Sequence, residues 1–139
     1  MTDAKFEKMT RSDKALYGPE KLVLCGFPAG AHAKFETVLK MAGMQDTPVV
    51  WAGERQADRL LADLFALPDD SGRGASSTLP RAVIVAGITE NMLHSLMAVC
   101  RKSGMKQALW ATLTPASETW TLKALLKELS SERRALNKK

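Results

Sequence analysis

The chain has 139 residues, 45% hydrophobic and 25% charged, with a formal net charge of +5. That length suits one domain with its own core, and the composition is close to the globular average. Two cysteines far apart, Cys25 and Cys100, exclude a disulfide framework or a zinc site.

Residues 1–20 are polar and mixed in charge, with no apolar stretch of signal-peptide type. They read as an N-terminal extension, with a short helix over 4–17 carried by Phe6, Met9, Ala15, Leu16 and Tyr17. No apolar run approaches the roughly 20 residues of a membrane helix. Together with two thiols in apolar runs, which read as buried, this predicts a cytoplasmic protein.

The ordered elements begin with Lys21-Leu-Val-Leu-Cys-Gly26, an apolar run that predicts β1 over 21–27. Phe35, Val38, Leu39 and Ala42 then recur at helical spacing, predicting α1 over 30–43 with Gly43 as its left-handed cap. Pro48-Val-Val-Trp51 predicts β2 over 47–52. Leu60, Leu61, Leu64 and Phe65 form one stripe of α2 over 54–67. The stretch 68–80 is rich in Gly, Ser and Asp and reads as a flexible linker. Arg81-Ala-Val-Ile-Val-Ala-Gly87 predicts β3 over 81–87. Leu93, Leu96, Met97 and Cys100 predict α3 over 89–104, capped by the Thr89 hydroxyl and closed by Gly104. Ala108-Leu-Trp110 predicts β4 over 107–113, stopped by Pro115. Leu125, Leu126 and Leu129 predict α4 over 119–136.

Two copies of one strand–helix–strand–helix unit emerge, 21–67 and 81–139. Gly26 leads to Gly87 and Gly43 to Gly104 at a constant offset of 61, and each second strand carries a Trp. Strands alternating with helices imply an α/β domain. Its expected core is a small, mostly parallel four-stranded sheet with helices packed on it. The continuously apolar β1 and β3 suggest cover on both faces. A two-layer sandwich with an antiparallel edge is the alternative. Since neither half has enough strands alone, the two should share one core.

The β1–α1 turn, Gly26-Phe-Pro-Ala-Gly30-Ala-His32, joins a strand to a helix N-terminus, where free amides can hold a phosphate. It matches neither the dinucleotide fingerprint nor the P-loop, and a plain tight turn explains it equally. Gly87-Ile-Thr89-Glu90 is its counterpart. The two turns are expected to sit together at the C-terminal ends of neighbouring strands. Gly26, Phe27, Gly30, His32, Gly53, Glu54, Gly87, Thr89 and Glu90 would then line a ligand site. His32 and His94 have no nucleophile or carboxylate partner at a catalytic spacing, so no catalytic residue, metal ligand or cofactor motif is assigned. A basic stripe of Lys123, Lys127, Arg133, Arg134, Lys138 and Lys139 on and after α4 would suit phosphates. It is equally a solvated helix end whose cations complement the dipole. Trp51 and Trp110 read as paired core residues, and Trp120 as packing over the sheet.

Within the second unit, Trp120-Thr-Leu122, Leu125-Leu126 and Glu128-Leu129 follow a Thr-Pro turn at Thr114-Pro115. This pattern, with the strand Ala82–Gly87 and the helix to Gly104-Met105, resembles an uncharacterised bacterial family, domain of unknown function 3783. The resemblance covers about the last 60 residues. It implies no activity and transfers no functional residue. The expected function is therefore a non-catalytic binding or regulatory module, with a homodimer or a protein partner in view. The alternatives are small-anion or nucleotide binding at the glycine turns, and nucleic-acid binding through the basic helix.

Overall fold

The computed structural model describes residues 14–105 and 108–137. Its centre is a four-stranded sheet of β1 (Lys21–Cys25), β2 (Val49–Ala52), β3 (Ala82–Ala86) and β4 (Leu109–Thr112), in the order β2-β1-β3-β4. The helices are α1 (His32–Met41), α2 (Leu61–Phe65), α3 (Glu90–Lys102) and α4 (Leu122–Asn137). Short 3₁₀ turns precede α1, α2 and α4.

Period-2 side-chain alternation splits the core across the two sheet faces. Leu22, Leu24, Trp51, Val83 and Val85 point to one side, where Phe35 and Val38 of α1 and Leu96 and Cys100 of α3 cover them. Val23, Cys25, Val50, Ile84 and Ala86 point to the other, under Leu61 and Leu64 of α2 and Leu122 and Leu126 of α4. Both faces of every central strand are dry, which is why β1 and β3 read as continuous apolar runs. Both cysteines are buried, and burial pushes their thiols up to about 12 at Cys25 and about 11 at Cys100.

The two outer pairs are parallel and have one register: residue i faces residue i+27 in both, Leu22 with Val49 and Ala82 with Leu109. The central pair, β1 with β3, is antiparallel and is centred on Val23 facing Ile84. So the sheet is mostly parallel, and its antiparallel pair lies in the middle rather than at an edge. The links between halves are reciprocal. Leu61 N–H donates to the Trp120 carbonyl at 2.9 Å, and Leu122 N–H to the Arg59 carbonyl at 2.9 Å. Likewise Leu16 N–H donates to Ile88 O, and Ser77 N–H to Phe27 O.

Local signals place most boundaries. Thr89 Oγ1 accepts from Met92 N–H at 3.0 Å and opens α3. Thr89→Ala is expected to cost about 1 kcal/mol in urea denaturation, with no change in the sheet. Thr121 Oγ1 accepts from Ala124 N–H and caps α4. Gly43 and Gly104 take φ near +75°, and the amides after them, Met44 and Met105, reach back to Leu39 and Cys100 carbonyls.

Four expectations need correction. The helix expected over 54–67 shrinks to a 3₁₀ turn and Leu61–Phe65. Leu60 is extended because it bridges Thr121 across to the other half. Trp51 and Trp110 do not match: the register sets Trp110 opposite Val83 but Trp51 opposite Leu24, two residues further along. Trp120 is 40% exposed rather than packed over the sheet. The stretch 68–80 lacks the free path of a linker. Asp70 N–H donates to Val49 O and Ser71 O accepts from Trp51 N–H, so the segment lies along the β2 edge before crossing the β1–α1 turn. The helix expected over 4–17 falls mostly outside the described residues. Ala15, within them, bridges Thr89.

Candidate functional site

The antiparallel centre divides the expected ligand site. Lys21 faces Ala86 and Cys25 faces Ala82, so the C-terminal ends of β1 and β3 lie at opposite ends of the sheet. Gly26, Phe27, Gly30, His32, Gly53 and Glu54 gather at one end. Gly87, Thr89 and Glu90 stand at the other. Two of the β1–α1 amides suited to a phosphate are also engaged. Ala29 N–H donates to Ser76 Oγ at 2.8 Å, and Ala31 N–H to Pro28 O. At the far end, Gly87 N–H donates to Tyr17 O and the Thr89 hydroxyl caps its own helix.

The first end is the more elaborate. His32, at the start of α1, is 2% exposed and stacks on Trp51 with ring centroids 3.9 Å apart. Its Nδ1 accepts from Gly74 N–H at 3.0 Å, which places the proton of the neutral ring on Nε2. Nε2 is buried and, among the described residues, meets no acceptor at hydrogen-bonding geometry. Burial is the main force lowering the His32 pKa below its ordinary value. Arg73 adds to it, while the Phe27 carbonyl, Glu36 and Asp70 oppose it. Arg73 is itself paired with Glu36. Glu54 accepts from both the amide and the hydroxyl of Thr78, which hold its carboxyl below the usual range. His32 and Glu54 thus fasten the crossing segment on its two sides.

Beside this end a groove of about 310 Å³ opens between α1 and the end of α3. Phe27, Pro28, Ala31, Phe35, Val38 and Met105 give it apolar walls, and Lys34 and Arg81 supply two cations. Phe27 and Phe35 meet edge-to-face at 5.3 Å, and the Arg81 guanidinium lies 4.7 Å over the Phe27 ring. Stacking holds the guanidinium over an apolar floor, and among the described residues its edge donors are unspent. Among the described residues neither cation has an ion-pair partner. Of the residues expected from sequence, only Phe27 lines this groove. Arg81 was legible only as a cation ahead of an apolar strand, and Lys34 only as a polar position on α1.

The basic stripe is dispersed. Lys123 pairs with Asp58 at 3.2 Å, Arg133 donates to the Ala108 carbonyl at 2.7 Å, and Arg134 turns to Ser131. Lys138 and Lys139 lie outside the described residues. Among the described residues no cluster of three metal-ligating side chains occurs, and no helix is long and apolar enough to cross a membrane.

No curated protein and no solved structure matches the chain. Residues 81–136 match the model of a family described as Domain of unknown function (DUF3783), a description that carries no activity. That match assigns the segment from β3 to α4, the second of the two halves, to this family of unknown function.

Proposed function

We propose that the protein is a non-catalytic binding module whose groove holds a small anion with an apolar body. The observation that carries this reading is the Arg81 guanidinium stacked on Phe27 at the rim of an apolar groove. Concave, largely apolar sites with a few oriented polar groups are where small ligands bind. A carboxylate carried on an aliphatic or aromatic body satisfies both the walls and the cations. The reading includes an internal duplication, supported by the shared i to i+27 register of the two halves. It also includes a cytoplasmic location, supported by two buried free thiols.

The test is ligand-observed NMR with octanoate, using octanol as the uncharged control. Octanoate is expected to bind and octanol to bind at least tenfold more weakly, about 1.4 kcal/mol. Arg81→Gln is expected to erase the difference. Equal binding of the two probes, or none, would sink the reading.

A further inference from the structure

The two edges of the sheet are finished differently. On β2, alternation turns the amides and carbonyls of Val49 and Trp51 outward, and the crossing segment satisfies them. Val49 N–H donates to Asp69 Oδ1 at 2.9 Å, Val49 O accepts from Asp70 N–H at 2.7 Å, and Trp51 N–H donates to Ser71 O at 2.8 Å. The run Asp69-Asp70-Ser71 therefore acts as a short fifth strand, parallel to β2, through the Val50–Ser71 bridge.

Along β4, Leu109 N–H donates to the carbonyl of Arg81, just ahead of β3, and Leu113 N–H, just past β4, to that of Val85. Alternation then turns Trp110 and Thr112 outward, at the places that Val49 and Trp51 hold on the other edge. Among the described residues no strand or segment pairs with that side of β4. Beside it lies a notch of about 210 Å³, walled by Met97, Cys100, Met105 and Trp110 and flanked by the cations Arg101 and Arg133, the latter already donating one N–H to the Ala108 carbonyl ahead of the strand at 2.7 Å.

We infer that the β4 edge is a docking site for an extended acidic segment of a partner protein. The segment adds as a strand parallel to β4, and its backbone meets the outward groups of Trp110 and Thr112. Two features select its chemistry. The filled edge is a template in which a carboxylate caps the first outward amide. The open edge has cations beside it where the filled edge has its own aspartates. A second copy of this chain would bring Arg101 and Arg133 against their equivalents, which disfavours self-pairing. One apolar side chain of the partner enters the notch, and the acidic ones meet Arg101 and Arg133. This site is independent of the groove at Arg81.

The probe is the peptide acetyl-Asp-Leu-Asp-Leu-Asp-amide, with its Asn-Leu-Asn-Leu-Asn counterpart as control. Amide hydrogen exchange is read by NMR on the full chain. The acidic peptide is expected to slow exchange at Trp110 and Thr112 at least tenfold, and the control to leave it unchanged. Arg101→Glu, at an exposed position, should weaken binding at least tenfold. Thr112→Pro removes an amide that the sheet does not use, at an edge where proline is tolerated, and should abolish protection at Trp110. Equal protection by both peptides, protection elsewhere, or undiminished binding in either variant would overturn the inference. So would concentration-dependent protection without peptide, which would assign the edge to a second copy.

Discussion

Gly26→Ala and Gly87→Ala are each expected to cost about 3 kcal/mol, a large share of the roughly 5–15 kcal/mol that holds a domain together. Both residues take φ near +75°, a left-handed conformation that costs a side-chain-bearing residue about 1–2 kcal/mol. Space is the second cost. A Cβ on Gly26 would lie 2.3 Å from the Leu79 carbonyl oxygen and 2.7 Å from the Arg81 nitrogen. On Gly87 it would lie 2.4 Å from the Glu20 nitrogen. These are backbone atoms in the lead-ins to the facing strands, so relief means moving the central pair. Gly43 and Gly104 provide the control. Their φ values are similar but a Cβ there meets nothing, so alanine should cost only about 1–2 kcal/mol. Urea midpoints of the four variants test this. Equal losses at all four would mean that backbone conformation alone sets the cost and that the close approach does not.

The second large effect is a fall in stability as pH drops below about 6.5, the ordinary value for histidine. His32 is buried with Nδ1 already accepting from Gly74, so protonation would set two N–H groups against each other. Its folded pKa is therefore depressed. Above the ordinary value both states are neutral and nothing is lost. Below it the unfolded chain binds a proton that the folded chain refuses, and stability declines until the folded pKa is reached. The limiting slope is about 1.4 kcal/mol per pH unit. Denaturation at steps between about pH 7 and about pH 5.5 should show stability falling with pH in the native protein, more steeply below about 6.5 and never beyond that limit, and the fall should be lost in His32→Gln. A slope that survives the substitution would place the titrating group elsewhere.

How much of this was legible in the sequence follows from what each signal encodes. Strands and helices showed because apolar runs and helical spacing are local. Gly43 and Gly104 showed because a left-handed cap has its own residue type. Strand direction did not show. A strand buried on both faces has no polar side to orient it, so β1 and β3 read alike whether parallel or antiparallel, and with that the two glycine turns were wrongly joined. The stripe of Leu60 and Leu61 matched a helix, yet Leu60 is held extended by Thr121 in the other half, a partner 61 residues away. The stack of His32 on Trp51 and the seat of Arg81 over Phe27 have the same character. They join residues whose separation carries no period. The stretch 68–80 looked like a spacer because Gly, Ser and Asp suit loops. Its Asp69 instead caps a strand amide, a role that only the edge geometry reveals.

The reciprocal join of the halves also sets the order of events during synthesis. The first half contains β1, whose inner edge finds its partner only in β3, beginning at Ala82. Until that segment has been made, an apolar strand with unpaired amides is exposed, a state prone to association. The interval is long because the contact is distant in sequence, and such pairings close slowly. A nascent chain halted before Ala82 would therefore carry a sticky edge, and two such chains in proximity would have the means to pair β1 with β1.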